Sequence, residues 1–483
     1  MNEKIIIYGA GEQGKRLIEI LNFCGVPIAV VIDSNSEKWG TYINGSRIES
    51  PDILLQMVDY KLCISIANND VKEEIRNMLI EKYGFNEVNE IAYMDLILYA
   101  YDIVDINKFG IEPTELKNIR EWSVIFDCEY GLVLGGIEEW SKGICTEFIN
   151  RGEMDSYILS NYSNYEVSEL LKGNIIRANV NPENAFLPIN IKELVRCLVN
   201  YMPCTLVTSQ PNEVLIVGKI LKRCFGRNIQ IVSGIRGGSE TIYNNYIQME
   251  KCTDLYVCVS SDITRNMVMR GIKEDRALTM ICPISCPSEL KRKYTINRND
   301  PIRIGYAGRI VVEQKRMDLM IKLIDILEKR NINYYMEFAG AGDYELCIRD
   351  YIIRNNCESR IKLVGHLNKE EIEKFWSDKD ICLNLADYEG RSRSIAEAMA
   401  NGAVPIVTET SGVHDDIHNE INGYIVPIGD FVKMANCIVD LEIDRELLAI
   451  MGKKAHLEIK NKSSMQNHYM FWKKIISEWK NAI

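Results

Sequence analysis

Two carboxylates with seven residues between them, Glu389 and Glu397, stand in the run Ala386–Gly402. An ionised carboxylate only accepts hydrogen bonds, so a spaced pair suits a ligand rich in hydroxyls. The preceding run Ile381–Ala386 predicts a buried strand, and Ser394–Ala400 predicts a short helix opened by a serine cap. Glu389 then falls in the loop at the carboxyl end of a strand, where open α/β sheets take their ligands. Glu397 falls about one turn into the helix, whose free amides and positive dipole end favour phosphate. Together these features describe a ligand with hydroxyls at both ends and a diphosphate between them, the chemistry of a nucleotide-sugar.

Glu389-Gly390 followed by Ser394-Ile-Ala-Glu397-Ala-Met399 resembles the E-x7-E signature of GT-B glycosyltransferases, most closely the retaining family 4. The order of segments agrees with that family's second half: Ile302–Arg309 as a strand ending in a Gly-Arg turn, Lys315-Arg316, Glu337–Gly342, Lys362–His366, Val404–Thr408 and Asn422–Val426. The resemblance implies that Arg309 and Lys315 stabilise a departing diphosphate without a bound metal. It further implies close backbone approach at Gly308, ribose hydroxyls on Glu397 and the donor sugar's hydroxyls on Glu389. Gly390 and Ser394 belong to the same implied donor site. Family members retain anomeric configuration without a protein nucleophile, so Glu389 is not read as one, and no cofactor is required. The gap of six from Arg309 to Lys315 matches the Glu-Gln-Lys-Arg variety of that loop rather than the shorter one, and one departure stands out: the cations of Arg391-Ser392-Arg393 where relatives carry apolar residues, glycine or proline. Those cations are suited to a second phosphate or a carboxylated sugar, or they mark altered donor geometry.

The middle of the chain resembles the acceptor-side half of that family less specifically. Leu134-Gly135-Gly136-Ile-Glu-Glu-Trp140 matches the Gly-Gly-x-Glu turn before its first long helix, and Cys252–Ser261 with Met280–Pro283 match its final strands. All five histidines lie at 366 or later, so the acceptor-side histidine of relatives is absent. Arg236, Ser239 and Glu240 are the polar residues in reach of that work.

Length and composition bound these readings. A chain of 483 residues holds more than one domain. The expected class is α/β with three Rossmann-like units, the last two forming a two-lobed GT-B glycosyltransferase. The expected boundaries are 1–100, a linker at 101–120, an acceptor domain at 121–299, a donor domain at 300–464, and an amphipathic helix at 465–483 crossing back to the acceptor half. Net charge is −11, and residues 1–120 carry 12 Lys and Arg against 19 Asp and Glu, which argues against nucleic acid as a partner. No apolar run approaches a membrane span. The fifteen cysteines are scattered without a disulfide or zinc spacing, which predicts a reduced, cytoplasmic protein. Residues 453–483 hold seven lysines and two glutamates, leaving open a peripheral contact with the inner face of the membrane.

The N-terminal segment has its own motif. Gly9-Ala-Gly11-Glu-Gln-Gly14 follows a strand and opens a helix, and Asp33 ends the next strand, where a ribose hydroxyl would be met. With Asp33-Ser-Asn, Gly40, Gly45 and Ser50-Pro-Asp, residues 1–95 resemble the small N-terminal domain of bacterial sugar acyltransferases, which holds a nucleotide-sugar. The leading expectation is therefore a metal-independent retaining glycosyltransferase. It would use a UDP- or GDP-sugar and a glycan, lipid-linked or protein-linked acceptor in bacterial cell-surface polysaccharide biosynthesis. The alternatives are a non-catalytic nucleotide-sugar-binding scaffold and a NAD(P)-dependent oxidoreductase acting through residues 1–100.

Overall fold

The computed structural model describes residues 4–111, 121–128, 131–132, 136–161, 168–290 and 292–482. The chain forms three sheets of Rossmann type. The first comprises β1 (Lys4–Tyr8), β2 (Ile28–Ile32), β3 (Tyr42–Ile43), β4 (Ser46–Glu49) and β5 (Tyr60–Ile64), in the order β3-β4-β2-β1-β5. The second comprises β6 (Ser123–Cys128), β7 (Asp155–Ser160), β8 (Ile175–Arg177), β9 (Cys204–Thr208), β10 (Ile229–Ile235), β11 (Leu255–Cys258) and β12 (Ala277–Thr279), in the order β12-β11-β10-β9-β6-β7-β8. The third comprises β13 (Ile302–Ala307), β14 (Tyr334–Ala339), β15 (Ile361–Gly365), β16 (Ile381–Asn384), β17 (Val404–Thr408) and β18 (Tyr424–Val426), in the order β15-β14-β13-β16-β17-β18. Its pairs are parallel, with Ile304 opposite Ile381 and Gly305 opposite Cys382 where β13 meets β16.

That order fixes where a ligand can sit. From β13 the chain steps outward to β14 and β15, then returns to the other side of β13 for β16 to β18. The loops leaving β13 and β16 therefore diverge onto opposite faces, and the crevice between them is the ligand position of such sheets. The helix Met317–Lys329 buries Met317, Met320, Leu323, Ile324 and Leu327, spaced three or four apart, against Ile302, Ile304 and Tyr306 of β13. The helix Arg393–Ala400 buries Ile395, Ala396, Ala398 and Met399 beside Cys382 and Val407. Both helices start where the crevice opens.

By internal contacts the chain divides into residues 1–233, 244–255 and 479–483, and residues 234–243 with 256–478. Within the first unit the N-terminal sheet shares one apolar core with helices of the second sheet: Leu17, Leu21, Leu96 and Ala100 cluster with Ile191, Leu194, Val217 and Leu221. Arg16 Nη2 donates to Ala185 O at 2.7 Å, and the Tyr101 hydroxyl to Phe186 O at 2.7 Å. The stretch 101–120, expected as a connector, contains the end of the helix Tyr93–Ile103 and a short turn at Ile106–Phe109. Its residues 112–120 lie outside the described ones.

The final helix, Met465–Asn481, buries Tyr469, Trp472, Ile475 and Ile476. Its apolar face is thus packed inside the protein, which leaves only the lysine-bearing side for an outside surface. In the first unit, Trp479 Nε1 donates to Arg227 O at 3.0 Å, and its indole stands 4.8 Å from Lys222 Nζ. Among the described residues no helix is long and apolar enough to cross a membrane.

Candidate functional site

The loops after β13 and β16 bring Lys315, Arg309 and Glu389 together. Lys315 Nζ pairs with Glu389 Oε1, and the two side chains are only 13% and 12% exposed. An ion pair largely removed from water is worth more than a surface pair and is costly to break without a replacement charge. Arg309 Nη2 donates to Gln314 Oε1, and Gln314 Nε2 donates to Tyr388 O at 3.0 Å. Asp387 N donates to Gln314 O at 2.9 Å. Arg316 closes the arrangement, holding both oxygens of Asp318 at 3.1 and 3.2 Å and reaching Asp387 at 3.1 Å. Burial raises the Asp318 carboxyl, but the Arg316 guanidinium more than offsets this and holds it below its ordinary value.

Two residues of this loop adopt left-handed backbone without being glycine: Gln314 at φ 69° and Arg316 at φ 51°. Such conformations cost on the order of 1–3 kcal/mol each and persist only where surrounding contacts impose them. Here those contacts are the side-chain bonds just named. Sequence reading gave neither residue a role in the site, and it missed Asp387 and Tyr388 as well. The one signal for them was the six-residue gap between Arg309 and Lys315, which leaves room for an extra loop residue.

Tyr306, at the end of β13, donates its hydroxyl to Arg309 O at 2.7 Å. Burial, and then the Glu389 charge, push this phenol far above its ordinary value, so it stays a proton donor and fixes the Gly308-Arg309 turn. Gly390 is required by close approach: a Cβ there would fall 2.0 Å from Arg236 O. The helix carrying Glu397 begins at Arg393 with Ser392 as its N-cap and no side-chain capping bond, one residue earlier than the expected Ser394 and without the expected serine cap. Ser394 is its second residue. Glu397 Oε1 accepts from Arg393 Nε at 2.7 Å. Glu397 thus lies on the adjacent helix.

Arg391 departs from the expectation of a ligand-facing cation. Its side chain is 3% exposed, with Nε and Nη2 on Asp416 at 2.7 and 3.1 Å. Nη2 also donates to Ser463 Oγ at 2.8 Å and Nη1 to Cys282 O at 3.0 Å. Burial pulls the Arg391 pKa down, yet Asp416 outweighs it and the group stays charged. A second phosphate or a sugar carboxylate therefore has only Arg393 of the two cations to meet. Of the acceptor-side candidates, Arg236 Nη1 reaches Cys282 Sγ at 3.2 Å, Ser239 Oγ accepts from Ile242 N at 3.4 Å, and Glu240 pairs with Arg270 at 2.5 Å. Gly136 opens the helix Gly136–Arg151, and Gly135 lies outside the described residues.

In the N-terminal sheet, Gly9 has φ 106° and a Cβ on Gly14 would come 1.9 Å from Gly9 O, so the turn and the helix Glu12–Cys24 pack backbone on backbone. Gly11 faces open space, with nothing within 4 Å of a built Cβ. Asp33 accepts from Ala10 N at 2.8 Å, Asn35 N at 2.9 Å and Lys38 Nζ at 2.9 Å. A carboxylate has about four acceptor directions, so most of this one is spent on its own turn.

Residues 288–458 match the family described as glycosyl transferases group 1, and residues 1–92 the family described as C2185-like, N-terminal. The chain carries a glycosyltransferase group 1 domain. The amylovoran biosynthesis glycosyltransferase AmsK of Erwinia amylovora is 28% identical over 161 residues, covering 32% of this chain and 39% of its own length. The capsular polysaccharide biosynthesis glycosyltransferase CapM of Staphylococcus aureus is 24% identical over 357 residues, covering 68% of this chain and 91% of its own. The crystal structure of Anabaena HepE in complex with UDP and glucose matches 74% of this chain and 99% of its own with TM-score 0.60 and 14% identity. That last likeness is one of fold, and the fold is GT-B. Within the glycosyltransferase domain, the Gly308-Arg309 turn, Lys315, Glu389 and Glu397 all fall inside the matched segment.

Proposed function

We propose that this protein is a retaining glycosyltransferase. It moves a sugar from a UDP- or GDP-sugar to a glycan or glycoconjugate acceptor in the assembly of a bacterial cell-surface polysaccharide. The observation that carries the reading is the Lys315–Glu389 pair at the crevice between β13 and β16, with Arg309 joined to it through Gln314. Relatives named for amylovoran and capsular polysaccharide biosynthesis, and a fold neighbour holding UDP and glucose, support the substrate class.

In this reading the diphosphate draws Lys315 away from Glu389 and takes Arg309 as a planar two-pronged donor. Glu389, released, accepts from the donor sugar's hydroxyls, and Glu397 accepts from the ribose. The bond from the anomeric carbon to the phosphate oxygen breaks, and a bond from the acceptor oxygen forms on the same face. The acceptor's proton passes to the departing phosphate oxygen. Lys315 and Arg309 stabilise the charge that develops there, a role that fixed cations fill without a metal. The work is assigned to the cytoplasmic side, where nucleotide-sugars are held.

The test is turnover of a panel of UDP- and GDP-sugars, as hydrolysis or transfer, by the full chain and by Lys315→Ala and Glu389→Ala. Turnover of one donor that both substitutions abolish supports the proposal; turnover that survives both contradicts the site. The burial of Arg391 weakens the scaffold reading, in which Arg391 and Arg393 disable transfer while nucleotide-sugar binding persists. For residues 1–92 we propose a nucleotide or nucleotide-sugar site at the Gly9–Gly14 turn. Gly11→Val fills open space beside that turn and should remove the thermal shift that nucleotides still give the Lys315→Ala variant. A shift with NAD(P) alone would favour the oxidoreductase reading.

A further inference from the structure

The loop between Arg309 and Met317 is joined to the loop Asp387–Glu389 at three successive residues. Gln314 bonds to the backbone of Asp387 and Tyr388, Lys315 to the side chain of Glu389, and Arg316 to the side chain of Asp387. Only the first of these uses no ionic group on the second loop, and only the first also touches Arg309. A glutamine can do both, since its oxygen accepts from the guanidinium while its amide N–H donates to a carbonyl. Arg316 is fully engaged by Asp318 and Asp387, so it anchors the end of the loop rather than its middle.

We propose that Gln314 is the positioning residue of the donor site: it sets the separation of Arg309 and Lys315 and holds Lys315 against Glu389. The proposal rests on the reading of Arg309, Lys315 and Glu389 as the groups that meet the donor. Three features of the loop bear on it. The loop from Arg309 to Met317 takes left-handed backbone at Gln314 and Arg316. Backbone strain of this kind gathers at sites whose geometry is imposed from outside the segment. The Gln314 amide supplies such an outside tie, because Tyr388 O belongs to the loop carrying Glu389. Without that tie, Lys315 loses the backbone constraint that aims it.

Gln314→Gly separates the side chain from the backbone, because glycine takes φ 69° without strain. Gln314→Ala removes the same side chain but leaves the strain. Two readouts are taken on the full chain. The first is competitive acetylation of lysines by acetic anhydride, followed peptide by peptide, with Lys474 at 72% exposure as the internal reference for Lys315 at 13%. In both variants Lys315 acetylation should rise about fivefold while Lys474 stays level, about the ratio of the two exposures, as Lys315 leaves Glu389 for solvent. The second is steady-state turnover of the nucleotide-sugar identified above, where KM should rise about tenfold in both variants with a smaller change in kcat. Thermal unfolding of Gln314→Gly should match the wild type.

Lys315 acetylation unchanged in Gln314→Gly overturns the proposal whatever the kinetics show. A lower unfolding temperature in Gln314→Gly with unchanged labelling and KM would make the residue merely structural, which also overturns it. Because labelling needs no donor, it tests Gln314 even if the wild type turns over no nucleotide-sugar; that result would defeat the proposed function alone.

Discussion

The turn after β1 and the turn after β13 make the same demand on their neighbours: a residue with no side chain must lie under the carbonyl of the turn glycine. A Cβ on Gly14 would fall 1.9 Å from Gly9 O, and a Cβ on Gly340 would fall 1.9 Å from Gly308 O. Beyond the backbone the two sites part. At the first, the acid at the end of the next strand, Asp33, turns inward and accepts from Ala10, Asn35 and Lys38 of its own turns. At the second, the acid Glu389 meets a cation from another loop, the cation that the proposed reaction hands to the donor's diphosphate. Glycine geometry makes room for a phosphate at both turns, and the disposition of the charged groups decides whether that room serves binding alone or group transfer.

Substitutions that treat both sites alike can break this contrast. The largest effect is expected from Lys315→Ala or Glu389→Ala, which should lower kcat/KM for the donor about 10²–10³-fold, as loss of one charge-stabilising contact does elsewhere. Next is Arg391→Ala, which strands Asp416 in the interior. It should cost about 3–5 kcal/mol in urea unfolding, and a smaller loss would mean that water reaches the pair.

A pH titration sharpens the same point. Trp472 Nε1 donates to His468 Nε2, so the ring is neutral with its proton on Nδ1, facing Ile281 O at 3.3 Å. Burial, with Arg236 and Arg391 nearby, lowers its pKa from 6.5 to about 3. The unfolded chain then binds a proton that the folded chain refuses, so stability is full above pH 6.5 and falls as pH drops towards 3. About 3 kcal/mol should be lost between pH 6.5 and about pH 4, and His468→Asn should flatten that limb.

Smaller effects separate the turns directly. Gly390→Ala and Gly14→Ala each press a methyl group onto a carbonyl oxygen and should each cost about 1–3 kcal/mol. Turnover should collapse only in Gly390→Ala. The smallest change is expected for Asp33→Asn, about 1–2 kcal/mol from weakened charge-assisted bonds, with turnover intact. Burial raises the Asp33 carboxyl, yet its hydrogen bonds bring it below 3.8. Its contribution is therefore present above that pH and fades as pH falls through the lowered value, and the asparagine variant should lack this fading.

Much of the frame could be read from residue order. Strand-to-glycine-turn segments such as Ile302–Gly308, and Glu389 with Glu397 around a helix start, are local patterns whose period and turn chemistry survive in one dimension. The helix start was misplaced by one residue because Ser392, with extended backbone, takes the N-cap that Ser394 could equally have filled. What could not be read depends on partners distant in the chain. Arg391 looks like a ligand cation until Asp416 and Ser463 are folded around it. Asp33 looks like a ribose acceptor until the Ala10 amide and Lys38 reach it. Gln314 looks like a solvated loop residue until the next loop arrives. Side-chain type records which bonds are available, and the fold decides which are used.

Calorimetric titration of the full chain with the preferred nucleotide-sugar, in wild type, Lys315→Ala and Asp33→Asn, tests the central claim most directly. The expected result is affinity weakened at least about tenfold in Lys315→Ala and unchanged within about twofold in Asp33→Asn, since a tenfold loss corresponds to about 1.4 kcal/mol. Undiminished binding in Lys315→Ala together with lost binding in Asp33→Asn would place the donor at the other glycine turn and contradict the account.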